Sequence, residues 1–273
     1  MRYTILSVQK IMRHSFIETI NINYYKKTFM IDIKAVILAG GYGTRIKHLI
    51  SDIPKPMFRV ADRPFIEWII FHIRQQGINK GIISTGYLGE VIEEYFNKCK
   101  ISGININCCQ EKTRLGTAGG FIHAVKQSNL YPEAWLVMNG DSLVANNFEK
   151  LVSYLDDQEV GCVILGISVD DTSRYGSLVC DKSNNLLHFS EKEHGQGCIN
   201  GGIYIFRHRI LEYFPSKYPL SFEYDVFPTL LQQNIKIKVC EVQSPFLDIG
   251  TPETLTQAEK FIKENFTNLI KPC

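Results

Sequence analysis

The chain has 273 residues, of which 45% are hydrophobic and 21% charged, a composition that excludes a disordered or fibrous protein and is enough for one substantial core. Thirty Lys and Arg against 28 Asp and Glu leave a net charge of +2, with no basic stretch dense enough to grip nucleic acid. No run approaches the roughly 20 consecutive apolar residues that span a bilayer, so neither nucleic acid nor membrane is an expected partner.

Eight scattered cysteines without a CxxC pair read as reduced thiols of a cytoplasmic protein. The first 33 residues lack the compact apolar segment and small-residue cleavage site of a secretory signal. A second methionine, Met30, stands just before the first convincing strand. Residues 1–29 are therefore expected to be a poorly ordered extension or an upstream start-site artefact, and residues 30–273 a single catalytic domain.

From Lys34 onward, short apolar runs alternate with helical patterns, the order of βαβ units around a mostly parallel sheet. Lys34 to Ala39 is a buried strand ending at Gly40-Gly41. Pro64 to Gln76 is a helix, with Phe65, Ile69 and Ile73 on one face and Gly77 as its stop. Gly81 to Thr85 is a strand, Gly89 to Lys98 a helix, Ile104 to Cys109 a strand and Thr117 to Lys126 a helix. Ala134 to Met138 is a strand running into Asn139-Gly140-Asp141. Beyond it, strands at Gly161–Val169, Gly176–Cys180, Leu186–Ser190 and Gly202–Phe206 are joined by turns, as in a mixed extension of the same sheet. Helices at Glu223–Gln233 and Pro252–Asn265 flank a last strand at Ile235–Val242. No linker, low-complexity tract or internal repeat interrupts the pattern.

Leu38-Ala39-Gly40-Gly41-Tyr42-Gly43-Thr44-Arg45 places three glycines directly after a buried strand, where backbone amides can cradle phosphate. The dinucleotide fingerprint fails, because Ile46 stands where its third glycine should be, and no GK[ST] follows to make a P-loop. Arg45 and the Lys55 of Pro54-Lys55-Pro56 set two cations beside the loop, which suits a polyphosphate. Asp141 and Asp248 each follow an apolar strand, where open α/β sheets bind ligands, and two carboxylates suit Mg²⁺ that also takes substrate phosphates and waters. Between them lie Arg174-Tyr175-Gly176, Glu191-Lys192, Asn200-Gly201-Gly202 and Glu223, which alone would read as turns, a solvated charge pair and a helix start.

Gly40-Gly41-x-Gly43-Thr44-Arg45 followed by Pro54-Lys55-Pro56 resembles the signature of the sugar-1-phosphate nucleotidylyltransferases, from about residue 34 to about residue 262. The resemblance implies a Rossmann-like three-layer α/β/α sandwich with a mixed, mostly parallel sheet. It implies that Leu38, Ala39, Gly40, Gly41, Gly43 and Thr44 hold the nucleotide, with Gln110, Glu111, Gly116 and Thr117 lining the nucleobase pocket. Arg45 and Lys55 would stabilise the triphosphate and Lys192 would align the attacking sugar phosphate. Asn139, Gly140, Arg174, Tyr175, Gly176, Glu191, Asn200, Gly201 and Glu223 would form the sugar-phosphate side, and Asp141 with Asp248 would hold Mg²⁺. The implied reaction is attack of a sugar 1-phosphate on the α-phosphorus of a nucleoside triphosphate, expelling pyrophosphate.

Asp52 to Met57, Arg63 to Glu67, Gly197 to Tyr204 and Phe246 to Glu253 look most like the D-glycero-D-manno-heptose 1-phosphate guanylyltransferases, which use GTP to make GDP-heptose for bacterial surface polysaccharide. Mannose-1-phosphate guanylyltransferases and uridylyl or thymidylyl enzymes are the alternatives. A catalytically silent sugar-nucleotide sensor on the same fold is disfavoured because Arg45, Lys55, Asp141 and Asp248 are all present. An oxidoreductase is disfavoured by the failed fingerprint. The oligomeric state stays open.

Overall fold

The computed structural model describes residues 29–43, 46, 52–173, 176–190 and 194–266. Residues 1–28 of the expected extension lie outside these, as do the site candidates Thr44, Arg45, Arg174, Tyr175, Glu191 and Lys192.

In chain order the elements are β1 (Ile33–Ala39), β2 (Arg59–Val60), β3 (Arg63–Pro64), α1 (Phe65–Gln75), β4 (Lys80–Thr85), α2 (Gly89–Lys98), β5 (Asn105–Gln110) and α3 (Thr117–Ser128). There follow β6 (Ala134–Asn139), β7 (Ser142–Val144), α4 (Glu149–Ser153), β8 (Val160–Val169), β9 (Ser177–Cys180), β10 (Leu186–Ser190), β11 (Gly197–Arg207), α5 (Phe227–Gln232), β12 (Lys236–Val242), β13 (Phe246–Asp248) and α6 (Pro252–Asn265).

A nine-stranded sheet organises them, ordered β10-β9-β11-β6-β1-β4-β5, with β8 paired to β11 and β12. β1 is parallel to both β6 and β4, and β4 is parallel to β5, so the nucleotide half of this mixed sheet is parallel. β11 runs antiparallel to β6 and β8. Because side chains alternate along a strand, each strand feeds two cores. Ala35, Ile37, Leu136, Met138, Ile203 and Ile205 face the core covered by α1, α2 and α6. Val36, Trp135, Val137, Tyr204 and Phe206 face the core covered by α3 and α5. These are the three layers expected from the sequence.

The second core is aromatic: Phe206 stacks on Phe222 at 5.2 Å between ring centroids and on Phe227 at 6.0 Å, burial of the kind that contributes about 1.5–3 kcal/mol per side chain.

Two of the expected segments take a different form, and β2, β3, β7, α4 and β13 are not among the expected elements. The helix expected at Glu223–Gln233 is a π-helical turn, Phe222–Val226, followed by α5. Pro228 has no N–H to offer the preceding turn and sits where a helix can begin, so the segment restarts there. The strand expected at Gly202–Phe206 starts at Gly197. It carries a bulge, since Asn200 and Tyr204 face Gly166 and Ile164, two residues apart on β8, and Gly202 adopts φ +70° to make it.

Because β1, β4, β5 and β6 are parallel, their carboxyl ends open on one edge of the sheet. That edge collects Gly40, Gly86, Glu111 and Asn139 with Asp141 just beyond, the place where such sheets hold ligands.

Candidate active site

At the end of β1 the chain turns through Gly40, Gly41, Tyr42 and Gly43. Gly43 takes φ +58° and brings its backbone against Lys55, whose Cβ would lie 3.4 Å from a methyl at this position. Lys55 opens a short 3₁₀ turn, Lys55–Met57, bracketed by Pro54 and Pro56. Proline fixes φ on both sides and so limits how far this lysine's backbone can wander. The Lys55 ammonium lies 2.6 Å from Asp141 Oδ2 and 3.6 Å from Asp248 Oδ1.

The two carboxylates meet through a small antiparallel ribbon. β7 directly follows Asp141, and β13 pairs with it so that Asp248 faces Ser142. The Ile249 N–H then donates to Asp141 O at 3.0 Å, and Ser142 Oγ donates to Asp141 Oδ1 at 3.2 Å. Two carboxylates already drawn around one cation form a donor set that suits a hard divalent ion. Among the described residues no group of three or more His, Cys, Asp or Glu side chains could hold a metal, so such an ion would need further oxygens from substrate and water.

A cleft of about 360 Å³ opens beside them, lined by Leu38, Ala39, Gly40, Gly41, Gly43, Lys55, Glu111, Gly116, Thr117, Asn139 and Asp141. It gathers the described nucleotide-loop candidates in one place. Gly140 sits beneath it, its N–H donating to Leu38 O at 2.8 Å. Gln110 lines a neighbouring surface cavity with Asn107 and His123 instead. Adjacent residues of an extended segment point to opposite sides, so only one of Gln110 and Glu111 can face the cleft. Tyr42 of the same loop, Pro56 and Gly120 complete the lining, together with two residues that the sequence did not point to, Ser84 and Arg114.

The expected sugar side lies across α3. Gly116, at φ +81°, lets Ala118 N–H reach Leu220 O at 3.0 Å while Leu220 N–H donates to Leu115 O at 2.7 Å. Phe222 N–H donates to Thr117 Oγ1 at 3.2 Å. These bonds tie the start of α3 to the segment that carries Glu223. Asn200 Nδ2 donates to Tyr204 Oη at 2.8 Å, Tyr204 Oη donates to Glu223 Oε1 at 3.2 Å, and Ser221 Oγ donates to Glu223 Oε2 at 2.9 Å. Asn200 Oδ1 accepts from Gly202 N–H at 2.9 Å, and Gly201 is buried between them. Gly176 precedes β9, whose Ser177 pairs with Ile199 beside Asn200. Tyr204 is 1% exposed, and burial with the Glu223 charge beside it holds its phenol well above the usual range. Tyr204 was not among the site residues expected from the sequence.

The profile of the nucleotidyl transferase family matches residues 34–265. The chain belongs to that family. Among curated relatives, this nucleotidyl transferase is 38% identical over 225 residues to the D-glycero-alpha-D-manno-heptose 1-phosphate guanylyltransferase of Campylobacter jejuni, covering 81% of the chain and 96% of the relative. It is 32% identical over 234 residues to the enzyme of the same name from Aneurinibacillus thermoaerophilus, covering 84% of the chain and 97% of the relative. In structure it resembles HddC from Yersinia pseudotuberculosis, with a TM-score of 0.74 at 32% identity over 83% of the chain and 98% of HddC. That protein has also been solved complexed with GMP-PN.

Among the described residues of the nucleotidyl transferase, seven cysteines are free, and no helix is long and apolar enough to cross a membrane.

Proposed function

We propose that this nucleotidyl transferase joins GTP to D-glycero-D-manno-heptose 1-phosphate, giving GDP-heptose and pyrophosphate. The observation that carries the reaction is the placement of Lys55 between Asp141 and Asp248 at the mouth of the glycine-loop cleft. The substrate pair is supported by the names of the two relatives, which the chain matches over nearly their whole length.

An oxygen of the sugar 1-phosphate attacks the α-phosphorus. A P–O bond forms there as the bond to the β-phosphate oxygen breaks, and pyrophosphate leaves. A phosphate monoester is largely ionised near neutral pH, so the protein need not supply a base. Its task is to align two anions and neutralise the charge that develops. The amides of Gly40, Gly41 and Gly43 face the triphosphate, and Lys55 offsets charge on it. By resemblance, Arg45 joins Lys55 there and Lys192 aligns the incoming phosphate, with Glu191, Arg174 and Tyr175 around the sugar. Asn200 and Glu223, held by Tyr204, offer an amide and a carboxylate to sugar hydroxyls.

Asp141 and Asp248 would hold Mg²⁺, which when bound supplies positive charge against the triphosphate oxygens. Nucleoside triphosphates and sugar phosphates meet in the cytoplasm, where we place the reaction.

The test is a panel. Purified protein is incubated with Mg²⁺, each nucleoside triphosphate and a series of sugar 1-phosphates, and pyrophosphate is measured. Turnover restricted to GTP with the heptose phosphate supports the reading. Turnover with mannose 1-phosphate or with UTP reassigns the substrates, and none with any pair revives the silent sensor.

A further inference from the structure

Lys55 stands where two parts of the site meet. Its side chain lines the nucleotide cleft together with Gly40, Gly41 and Gly43, yet its ammonium is directed at the two carboxylates proposed to hold Mg²⁺, 2.6 Å from Asp141 Oδ2 and 3.6 Å from Asp248 Oδ1. The lysine is the most enclosed of the three, 12% exposed against 33% for Asp141 and 26% for Asp248. Its charge is therefore poorly screened by solvent.

The surroundings hold the ammonium in that position. Pro54 and Pro56 bracket the turn that Lys55 opens, and the glycine loop lies against its stem, where a methyl at Gly43 would be 3.4 Å from Lys55 Cβ. On the opposite side, a methyl at Gly250 would stand 2.5 Å from Asp248 Oδ1 and 3.3 Å from Lys55 Nζ. A side chain at Gly250 would force the ammonium and the carboxylate apart. Among the described residues, Asp141 and Asp248 are the carboxylates that pair with Lys55, and no group of three or more His, Cys, Asp or Glu side chains could hold a metal.

An ammonium and a divalent ion compete for the same two carboxylates. Lys55 cancels one of their two negative charges and its Nζ takes up the space between them. Mg²⁺ gives up its waters reluctantly and takes one or two protein carboxylates together with substrate phosphates, so without a phosphate it has little to set against the lysine. A triphosphate changes the balance. It brings several negative oxygens to the glycine loop, and the flexible four-carbon stem of Lys55 can turn its charge onto them from the same anchored backbone. The departing ammonium leaves two adjacent carboxylates beside a polyanion, an arrangement that demands a divalent cation.

We propose that Lys55 is a resident cation that keeps the metal position closed in the nucleotide-free chain, and that nucleotide opens it, so that Mg²⁺ binds the nucleotide-loaded chain and not the free one. This deepens the reading given under Proposed function and rests on its assignment of Asp141 and Asp248 to Mg²⁺.

The experiment titrates Mn²⁺, a hard-ligand stand-in for Mg²⁺, into nucleotide-free protein and follows the free aqua ion by electron paramagnetic resonance. Wild type should take up Mn²⁺ weakly. Lys55→Met keeps the bulk of the stem without its charge and should bind Mn²⁺ about tenfold or more tightly, since a charge at this distance alters a carboxylate's affinity for a cation by about 10- to 1000-fold. Lys55→Arg retains the charge and should exclude Mn²⁺ as wild type does. Adding Asp141→Asn to Lys55→Met should abolish the gain. In a second arm, equilibrium dialysis with labelled GTP in EDTA should show saturable binding to wild type, because nucleotide precedes metal, and binding about 10- to 100-fold weaker to Lys55→Met, the range of one hydrogen bond to a charged group.

Equal Mn²⁺ affinity in wild type and Lys55→Met overturns the inference, as does a wild type that binds GTP only when metal is present. Tight Mn²⁺ binding by Lys55→Arg as well as Lys55→Met would mark an effect of packing rather than charge and overturns it too. Mn²⁺ uptake by Lys55→Met that survives Asp141→Asn lies elsewhere and overturns the metal reading of Asp141 and Asp248 itself, which distinguishes that failure from failure of Lys55 alone.

Discussion

Lys55 Nζ donates to Asp141 Oδ2 at 2.6 Å across 86 residues of sequence. This contact joins the cationic loop that follows β1 to the carboxylate that follows β6. Both side chains are partly shielded, Lys55 at 12% and Asp141 at 33% exposure, so their attraction is less screened than that of a surface pair. The pair leaves one lysine and two carboxylates ready to exchange partners when a triphosphate and a metal enter.

Lys55→Ala and Asp141→Asn are each expected to lower turnover by about 10² or more, the scale found when charge developing in a transition state loses its partner. Asp248→Asn should in addition raise the Mg²⁺ concentration needed for half-maximal rate, since it neutralises one of the two carboxylates proposed to hold the ion. Pyrophosphate release against Mg²⁺ concentration measures both. Near-normal rates in Lys55→Ala would remove that residue from the chemistry.

Tyr204→Phe removes one hydroxyl from the centre of the Asn200–Glu223 network while preserving the ring that packs against Phe222 and Phe227. Losing two neutral or charge-assisted hydrogen bonds should cost about 1–3 kcal/mol of local order. The expected result is a KM for the sugar 1-phosphate raised roughly tenfold with the KM for the nucleotide unchanged. Equal rises in both would mean that Tyr204 supports the fold as a whole rather than the sugar side.

The parts of this site that lie at strand ends were legible in the sequence, because a buried apolar run followed by Gly-Gly or Asn-Gly-Asp marks where a parallel strand emerges. The nearness of Asp141 to Asp248 was not, because it depends on β7 pairing with β13, strands of three residues each that carry almost no periodicity. Tyr204 was hidden for the opposite reason. It sits in a strong apolar alternation, and only the bulge at Gly201-Gly202 and the arrival of Glu223 reveal that its hydroxyl has polar work. Gln110 and Glu111 looked equivalent as neighbours in sequence, and the opposed directions of adjacent side chains separate them.

Gly116→Ala tests the joint between the nucleotide and sugar sides. At φ +81° an added Cβ is strained, and it would run into the backbone of Leu220. Such positions cost on the order of 1–3 kcal/mol. For a domain of this size that is a fall in Tm of about 2–12 °C, readable by thermal unfolding, and both KM values should rise because both sides meet here. A variant with wild-type Tm and kinetics would refute the role given to this contact.

His72 gives the fold a pH dependence of its own. It lies near the end of α1, 3% exposed, edge-on to Phe148 at 4.8 Å and to Phe266 at 5.4 Å. Burial pushes its pKa down from 6.5 to about 4, with the backbone of Asn146 opposing the shift. The unfolded chain protonates this histidine below about pH 6.5 while the folded chain does not until about pH 4, so the unfolded state binds the extra proton in that window. Stability is therefore full above about pH 6.5 and is lost progressively as pH falls toward 4, by about 3 kcal/mol from this group. Urea unfolding followed through the buried Trp68 and Trp135 at pH 7.5, 6.0, 5.0 and 4.5 measures the slope. His72→Leu keeps an apolar side chain between the two phenylalanines and should flatten that slope relative to the wild type. An identical loss of stability with falling pH in the two proteins would show that other groups carry the dependence.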